Sequence, residues 1–280
     1  MIVFNKKNSC KECIKPKRKE EILFVTSMSR DGYSKYGKRF IESWEKYCSP
    51  LALYVVCEWD SSEEFRQHKL IKAASNYYAY EIERVYKDFP RVEDFRYQPY
   101  KFAFKTSAIQ SVIENAPLIE GKRLLVWLDA DSKVKKKSFL ECILKLVPEK
   151  TQIASFFDRN NSYGYGETGI VLFNLENSET KEFIYRWNKP FIDGSIKEFC
   201  EWHDAFYFSH LVRGYRTSAF KNLCSEHDLK STHPINELTL LRHTFSHMKG
   251  RRKFIGYDFE EGSLIYRLAL RFQNMFHYKK

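Results

Sequence analysis

Residues Arg123 to Asp131 read RLLVWLDAD. Leu124 to Leu128 is almost wholly apolar, which predicts a short strand buried inside a sheet covered on both faces. It stops at two aspartates, Asp129 and Asp131, with the small Ala130 between them. In open α/β sheets, ligands bind beyond the carboxyl ends of the strands. Two carboxylates two residues apart at such an end can hold a divalent cation. Hard Mg²⁺ or Mn²⁺ favours oxygen ligands and bridges phosphates. A lone DxD is also common as a turn or helix cap, so the buried strand before it carries the weight of this reading.

Working upstream, EEILFVTSMS predicts a first buried strand centred on Ile22 to Val25. SKYGKRFIESWEKY predicts a helix with Phe40, Ile41, Trp44 and Tyr47 on one side, and LALYVVCE a second buried strand. This β-α-β opening points to a mostly parallel central sheet flanked by helices. A long helical stretch is expected over about residues 61–88, and another over about 100–115, ended by Asn115 and Pro117. Downstream, a short helix is expected from Ser138. QIASFFD and TGIVLFNL read as strands around the Gly-rich NNSYGYGE loop, and helices follow near 178–189 and 203–213.

The chain has 280 residues, 43% hydrophobic and 16% aromatic, enough for one large α/β domain. Residues 1–19 read as a flexible basic arm, 20–262 as a single domain, and 263–280 as a basic amphipathic helix. No stretch approaches the roughly 20 apolar residues of a membrane span, and the start has no apolar signal-peptide segment. The expected compartment is therefore the cytoplasm. Seven scattered cysteines argue against a disulfide framework. Cys10 and Cys13 form a CxxC with no second half-site, and read as free thiols.

Lys plus Arg number 47 against 36 Asp plus Glu, a net charge of +11. This surplus suggests a polyanionic partner beyond a single diphosphate. Near the C-terminus, HSHMKGRRK offers His247 as a further metal ligand. Lys249, Gly250 and Lys253 offer positive charge and close backbone approach for phosphates.

The ordered set of motifs resembles GT-A glycosyltransferases related to the glycogenin and lipopolysaccharide galactosyltransferase family. Those enzymes carry a DxD, an NSGVLLFN-like strand, a QDALN-like helix start and an HxxGxxKP segment. Here stand DAD, TGIVLFN (Thr168 to Asn174), HDAF (His203 to Phe206) and HMKGRRK (His247 to Lys253), with Phe254 in place of the family's proline. The likeness is greater to glycosyltransferase-like proteins of bacteria and phages, through VTSMSRDGYSKYGKRFIES, KFAFK, WLDAD, GETGIVLFNL and WHDAFYF. It covers about residues 22–256.

The resemblance implies a GT-A, Rossmann-like fold and transfer of a sugar from a nucleotide sugar, with UDP as the nucleotide. It implies Mn²⁺ or Mg²⁺ held by Asp129, Asp131 and His247. Thr26, Ser27 and Tyr33, after the first strand, would lie near the base and ribose. Lys101 and Lys105 share a helix face at i, i+4 spacing and would reach the diphosphate or the sugar, although a solvated face has the same pattern. Lys249, Gly250 and Lys253 would clamp the diphosphate, and Glu167, Thr168 and Gly169 would line the sugar and acceptor side. Asp204 would contact the donor sugar or serve as the acceptor's base, with Glu167 as the other base candidate. Asp204 also reads as a helix N-cap.

The expected acceptor is a hydroxylated base in phage-type modified DNA. The net charge, the arm at Lys6 to Lys19, Lys133 to Lys137 beside the metal motif and Arg251 to Lys253 all favour it. The rival acceptor is a cell-surface glycan or lipid-linked precursor. Peripheral contact of the C-terminal helix with an anionic membrane favours that one. A reading of another class is a non-catalytic nucleic-acid-binding protein. A nucleotidyltransferase would need a third strand-borne carboxylate and a Gly-Ser phosphate loop, neither of which is expected here.

Overall fold

In a computed structural model of the chain, the described residues are 16, 18–59, 62–90, 92–159, 164–230 and 233–248. Most of the expected basic arm, Cys10 and Cys13, Lys249, Gly250, Lys253 and the C-terminal helix at 263–280 lie outside them.

The elements run β1 (Ile22–Met28), α1 (Lys38–Cys48), β2 (Leu53–Cys57), β3 (Ile71–Ala74), α2 (Ala79–Tyr86), α3 (Pro99–Glu114) and β4 (Leu124–Leu128). After these come β5 (Ser132–Val134), α4 (Phe139–Leu144), β6 (Ala154–Phe157), β7 (Glu167–Asn174), α5 (Thr180–Asp193), α6 (Asp204–Arg213), β8 (Phe220–Asn222) and β9 (Phe245–His247). Among the described residues the strands build a seven-stranded sheet in the order β3-β2-β1-β4-β7-β6-β8, with β5 and β9 paired separately. Only β7 runs against its neighbours in the large sheet; β3, β2, β1 and β4 are parallel, as are β6 and β8. The fold is therefore α/β with a mostly parallel central sheet, as expected.

Helix α1 lays Phe40, Ile41 and Trp44 on one face of the sheet, all fully buried, while Tyr47 is only half-buried. Trp44 anchors the packing. Its ring meets Phe24 edge-on at 4.8 Å and its indole N–H donates to the Leu51 carbonyl at 2.9 Å, so the buried donor is satisfied. The opposite face is covered by α3, α5 and α6. Helix α3 is buried on nearly all sides, the mark of a central helix, and Lys105 is among its buried residues.

The structure corrects the sequence reading in three places. The stretch expected as one helix over 61–88 divides into a short helix at Ser62–Phe65, the edge strand β3 and α2. Thr26 and Ser27 lie within β1, not after it, and Thr26 is fully buried. The three-residue strands β5, β8 and β9 were not expected. Among the described residues, Cys48, Cys57, Cys142, Cys200 and Cys224 are free thiols. No helix there is long and apolar enough to cross a membrane.

Candidate active site

The carboxyl end of β4 is the centre. Side chains alternate along a strand, so Trp127 and Asp129 share a side. The Trp127 indole donates to Asp129 Oδ1 at 2.8 Å. Lys105 of α3, which packs on that side, donates to the same oxygen at 2.8 Å. The backbone N–H of Asp129 donates to the Gly169 carbonyl of β7 at 2.9 Å. Oδ1 is thus occupied, and Oδ2 lies 3.3 Å from His247 Nε2.

His247 arrives from the far end of the described chain through β9. Antiparallel pairing sets Ser132 opposite His247, one residue past Asp131. Asn236 holds the same backbone from the other side: His247 N–H donates to its Oδ1 at 3.0 Å, and its Nδ2 donates to the His247 carbonyl at 2.8 Å. The imidazole is buried, with Nε2 3.0 Å from Asp131 Oδ1 and Nδ1 3.0 Å from Glu167 Oε1. One ligand atom each from Asp129, Asp131 and His247 lies within 4.8 Å of the others. Two carboxylate oxygens and an imidazole can hold a divalent cation. Among the described residues, four carboxyl groups (Asp129, Asp131, Glu167, Asp204) gather around one ammonium and one imidazole. A divalent cation would offset that excess of acid.

Lys105 is the second centre. Its ammonium meets Asp129 at 2.8 Å and Asp204 Oδ2 at 2.7 Å, and donates to the Thr168 carbonyl at 2.8 Å and to Thr168 Oγ1 at 3.1 Å. The Thr168 hydroxyl in turn donates to Asp204 Oδ2 at 2.6 Å. Burial alone would lower the lysine, but Asp129 and Asp204 outweigh it and raise it to about 12. Burial likewise pushes Asp204 towards its neutral form, yet Lys105 holds it below the ordinary carboxylate range. Lys101, one turn earlier, is exposed, whereas Lys105 is buried. Asp204 is not the cap of α6. His203 is, accepting from Phe206 N–H at 3.2 Å through Nδ1.

Glu167, Thr168 and Gly169, expected on the sugar and acceptor side, face different groups. Thr168 faces Lys105 and Asp204. Glu167, also expected as a base candidate, is borne on β7 and not on the loop before it, and it lies across the imidazole from the aspartate pair. Gly169 lies directly beneath the His247 ring. Trp127, Asn236 and Tyr36 were missed. Burial, and then Asp131 and Asp129, raise the Tyr36 phenol above its ordinary range, which places it beside the pair. It stands in a π-helical turn, Tyr33–Gly37, a form often found at functional sites.

Beyond β1 and β2, the rings of Tyr33, Trp59 and Phe65 pack together at 5.7 to 6.2 Å. Tyr33, Glu64, Arg66 and Gln67 line a cleft of about 460 Å³ there.

No protein-family model and no curated protein matches the chain. Among solved structures, it is similar to mouse xyloside xylosyltransferase 1 in apo form, with 12% identity over 73% of this chain and 86% of that one, at a TM-score of 0.43. It is also similar to a glycosyltransferase involved in glycosylation of the major capsid of PBCV-1, with 13% identity over 83% of this chain and 98% of that one, at a TM-score of 0.46.

Proposed function

We propose that this chain is a metal-dependent glycosyltransferase of the GT-A type, using a UDP-sugar and Mn²⁺ or Mg²⁺. The observation that carries the proposal is the convergence of Asp129, Asp131 and His247 at the carboxyl end of β4. A bound cation supplies charge to stabilise the departing diphosphate. The protein's own part is positional. Trp127 and Lys105 hold Asp129 Oδ1, which turns Oδ2 towards the cation position. Tyr33, which lines the cleft and packs against Trp59 and Phe65, offers a ring face for the nucleobase, and Ser27 stands near the carboxyl end of β1. Lys249, Gly250 and Lys253 follow His247 in sequence and supply the diphosphate clamp.

Lys105, Thr168 and Asp204 form the sugar side. Asp204 is charged and buried against Lys105, so it orients the sugar's hydroxyls. It also stands as the candidate to accept the acceptor's proton in an inverting reaction.

The acceptor proposed first is a hydroxylated base in DNA. Supporting it, Lys133 and Lys135 follow the metal motif in sequence, and both Arg39 and Lys46 of α1 act on the Lys133 charge. Burial first, then repulsion from Arg39, Lys135 and Lys46, lowers the Lys133 ammonium. A glycan or lipid-linked precursor is the rival.

The test is transfer or donor hydrolysis with a panel of UDP- and GDP-sugars and Mn²⁺, against hydroxymethylated DNA and glycan acceptors at low salt. Saturable transfer to glycan and none to DNA removes the DNA acceptor. No turnover of any donor, with Asp129→Ala binding DNA as the parent does, favours a non-catalytic nucleic-acid-binding protein.

A further inference from the structure

We infer that Glu167 is a positioning residue: its carboxylate fixes the His247 imidazole so that Nε2 is presented to the cation between Asp129 and Asp131. The inference rests on the metal-site reading above and adds to it the group that makes the histidine a ligand.

An imidazole has two nitrogens, and only the one without a proton can bind a metal. Which one that is depends on the partner of the other, commonly a carboxylate accepting from Nδ1–H. Here Nδ1 lies 3.0 Å from Glu167 Oε1, while Nε2 lies 3.0 Å from Asp131 and 3.3 Å from Asp129. The two nitrogens thus face different tasks across one ring.

The surroundings leave the ring little choice. Asn236 and the β5 pairing hold the His247 backbone on both sides. Glu167 and Gly169 are two apart on β7, so both point to the ring, one at its edge and one beneath it. Thr168, between them, points instead to Lys105 and Asp204. Glu167 is buried, and its carboxyl faces the histidine. Burying a carboxyl costs free energy unless it is paired; the imidazole lies within ion-pair distance, and bringing Nδ1–H into line with Oε1 is what a cation on Nε2 would require.

The experiment is Mn²⁺ titration followed by the EPR signal of the free ion, with donor absent. Parent, Glu167→Ala, Glu167→Gln and the distant control Glu176→Ala are compared, each checked for fold by far-UV CD. Glu167→Ala should weaken Mn²⁺ binding about 10- to 100-fold, the usual effect of losing such a partner. Glu167→Gln keeps an oxygen that accepts from Nδ1–H and should recover much of the loss. Glu176→Ala should match the parent. Equal affinity in parent and Glu167→Ala overturns this inference while leaving the metal site standing. So does a Glu167→Gln variant no better than Glu167→Ala. Absence of Mn²⁺ binding in the parent overturns the metal-site reading and this inference together.

Discussion

The imidazole of His247 rests on the bare α-carbon of Gly169. A methyl group built at that position would come within 2.5 Å of Nδ1 and 3.1 Å of Nε2, closer than side chains pack. Asn236 and β5 fix the backbone of His247, so the ring cannot retreat without losing those bonds. Gly169→Ala should therefore displace the ring and weaken Mn²⁺ binding on the order of tenfold or more. Strand β7 itself should persist, because alanine is tolerated in strands. Isothermal titration with Mn²⁺, alongside a thermal melt, checks both halves. Unchanged affinity would mean that the ring is not seated there.

Lys105 stands between two carboxylates, and its removal should invert the acid response of the fold. In the parent, Lys105 holds Asp204 below its unfolded value of about 3.9. That stabilisation is present above the unfolded value and is lost as pH falls through the depressed one. The lysine, raised to about 12, keeps its own share below about 10.4 and loses it as pH rises through about 12. Between pH 5 and 8 the parent's pair is therefore flat. Lys105→Met leaves Asp204 buried beside Asp129 without its cation, so the carboxyl shifts above its unfolded value. Stability then falls as pH rises from about 4. Urea unfolding should show a loss of about 3–5 kcal/mol at pH 7 and a smaller one at pH 5. A pH-independent deficit would argue against the ion pair.

The contrast between β4 and β3 shows what the sequence could reveal. RLLVWLDAD is legible because a both-faces-buried strand must be apolar throughout, and because its charged end is abrupt. β3 has only Ile71 buried, with Lys72 and Ala73 exposed, so it carries no period to detect. Its Lys and Ala are helix formers, and parallel pairing with Leu53–Val56 overrides that preference. The site was legible where it is local, as in Asp129 and Asp131. The HSHMKGRRK segment and the resemblance both offered His247 as a ligand, but no spacing tied it to the pair. What physically joins them is pairing between two three-residue strands, too short for any pattern. Asn236 and Trp127 act through single hydrogen bonds set by tertiary packing, which no local pattern encodes.

Metal should stabilise the fold as well as serve the reaction. A ligand that binds only the folded state adds about 2.7 kcal/mol at one hundred times its Kd. For a chain of this size that corresponds to a rise in Tm on the order of 5 °C. The parent should show this rise with Mn²⁺ and lose it with a chelator. Asp131→Asn should show little of it, because one of the three ligand atoms has lost its charge. Differential scanning calorimetry at fixed protein concentration makes the measurement. An equal rise in Asp131→Asn would place the ion elsewhere.

The basic group beside the metal motif offers a way to separate the two acceptors without knowing the sugar. Lys133 lies on β5 and Lys135 directly follows it, and Arg39 and Lys46 stand on α1 close enough to repel Lys133. If they contact phosphates, each contributes close to 0.9 to the slope of log affinity against log salt on duplex DNA. Lys133→Gln combined with Lys135→Gln should then lower that slope by about two and weaken binding at low salt, across sequences alike. Val134 and Ser132 keep the strand in register, so His247 stays opposite Ser132 and Mn²⁺ affinity should hold. Fluorescence anisotropy with a labelled duplex at several salt concentrations reads the slope. A slope unchanged by the double substitution would remove this face from any DNA contact and shift the weight to a glycan acceptor.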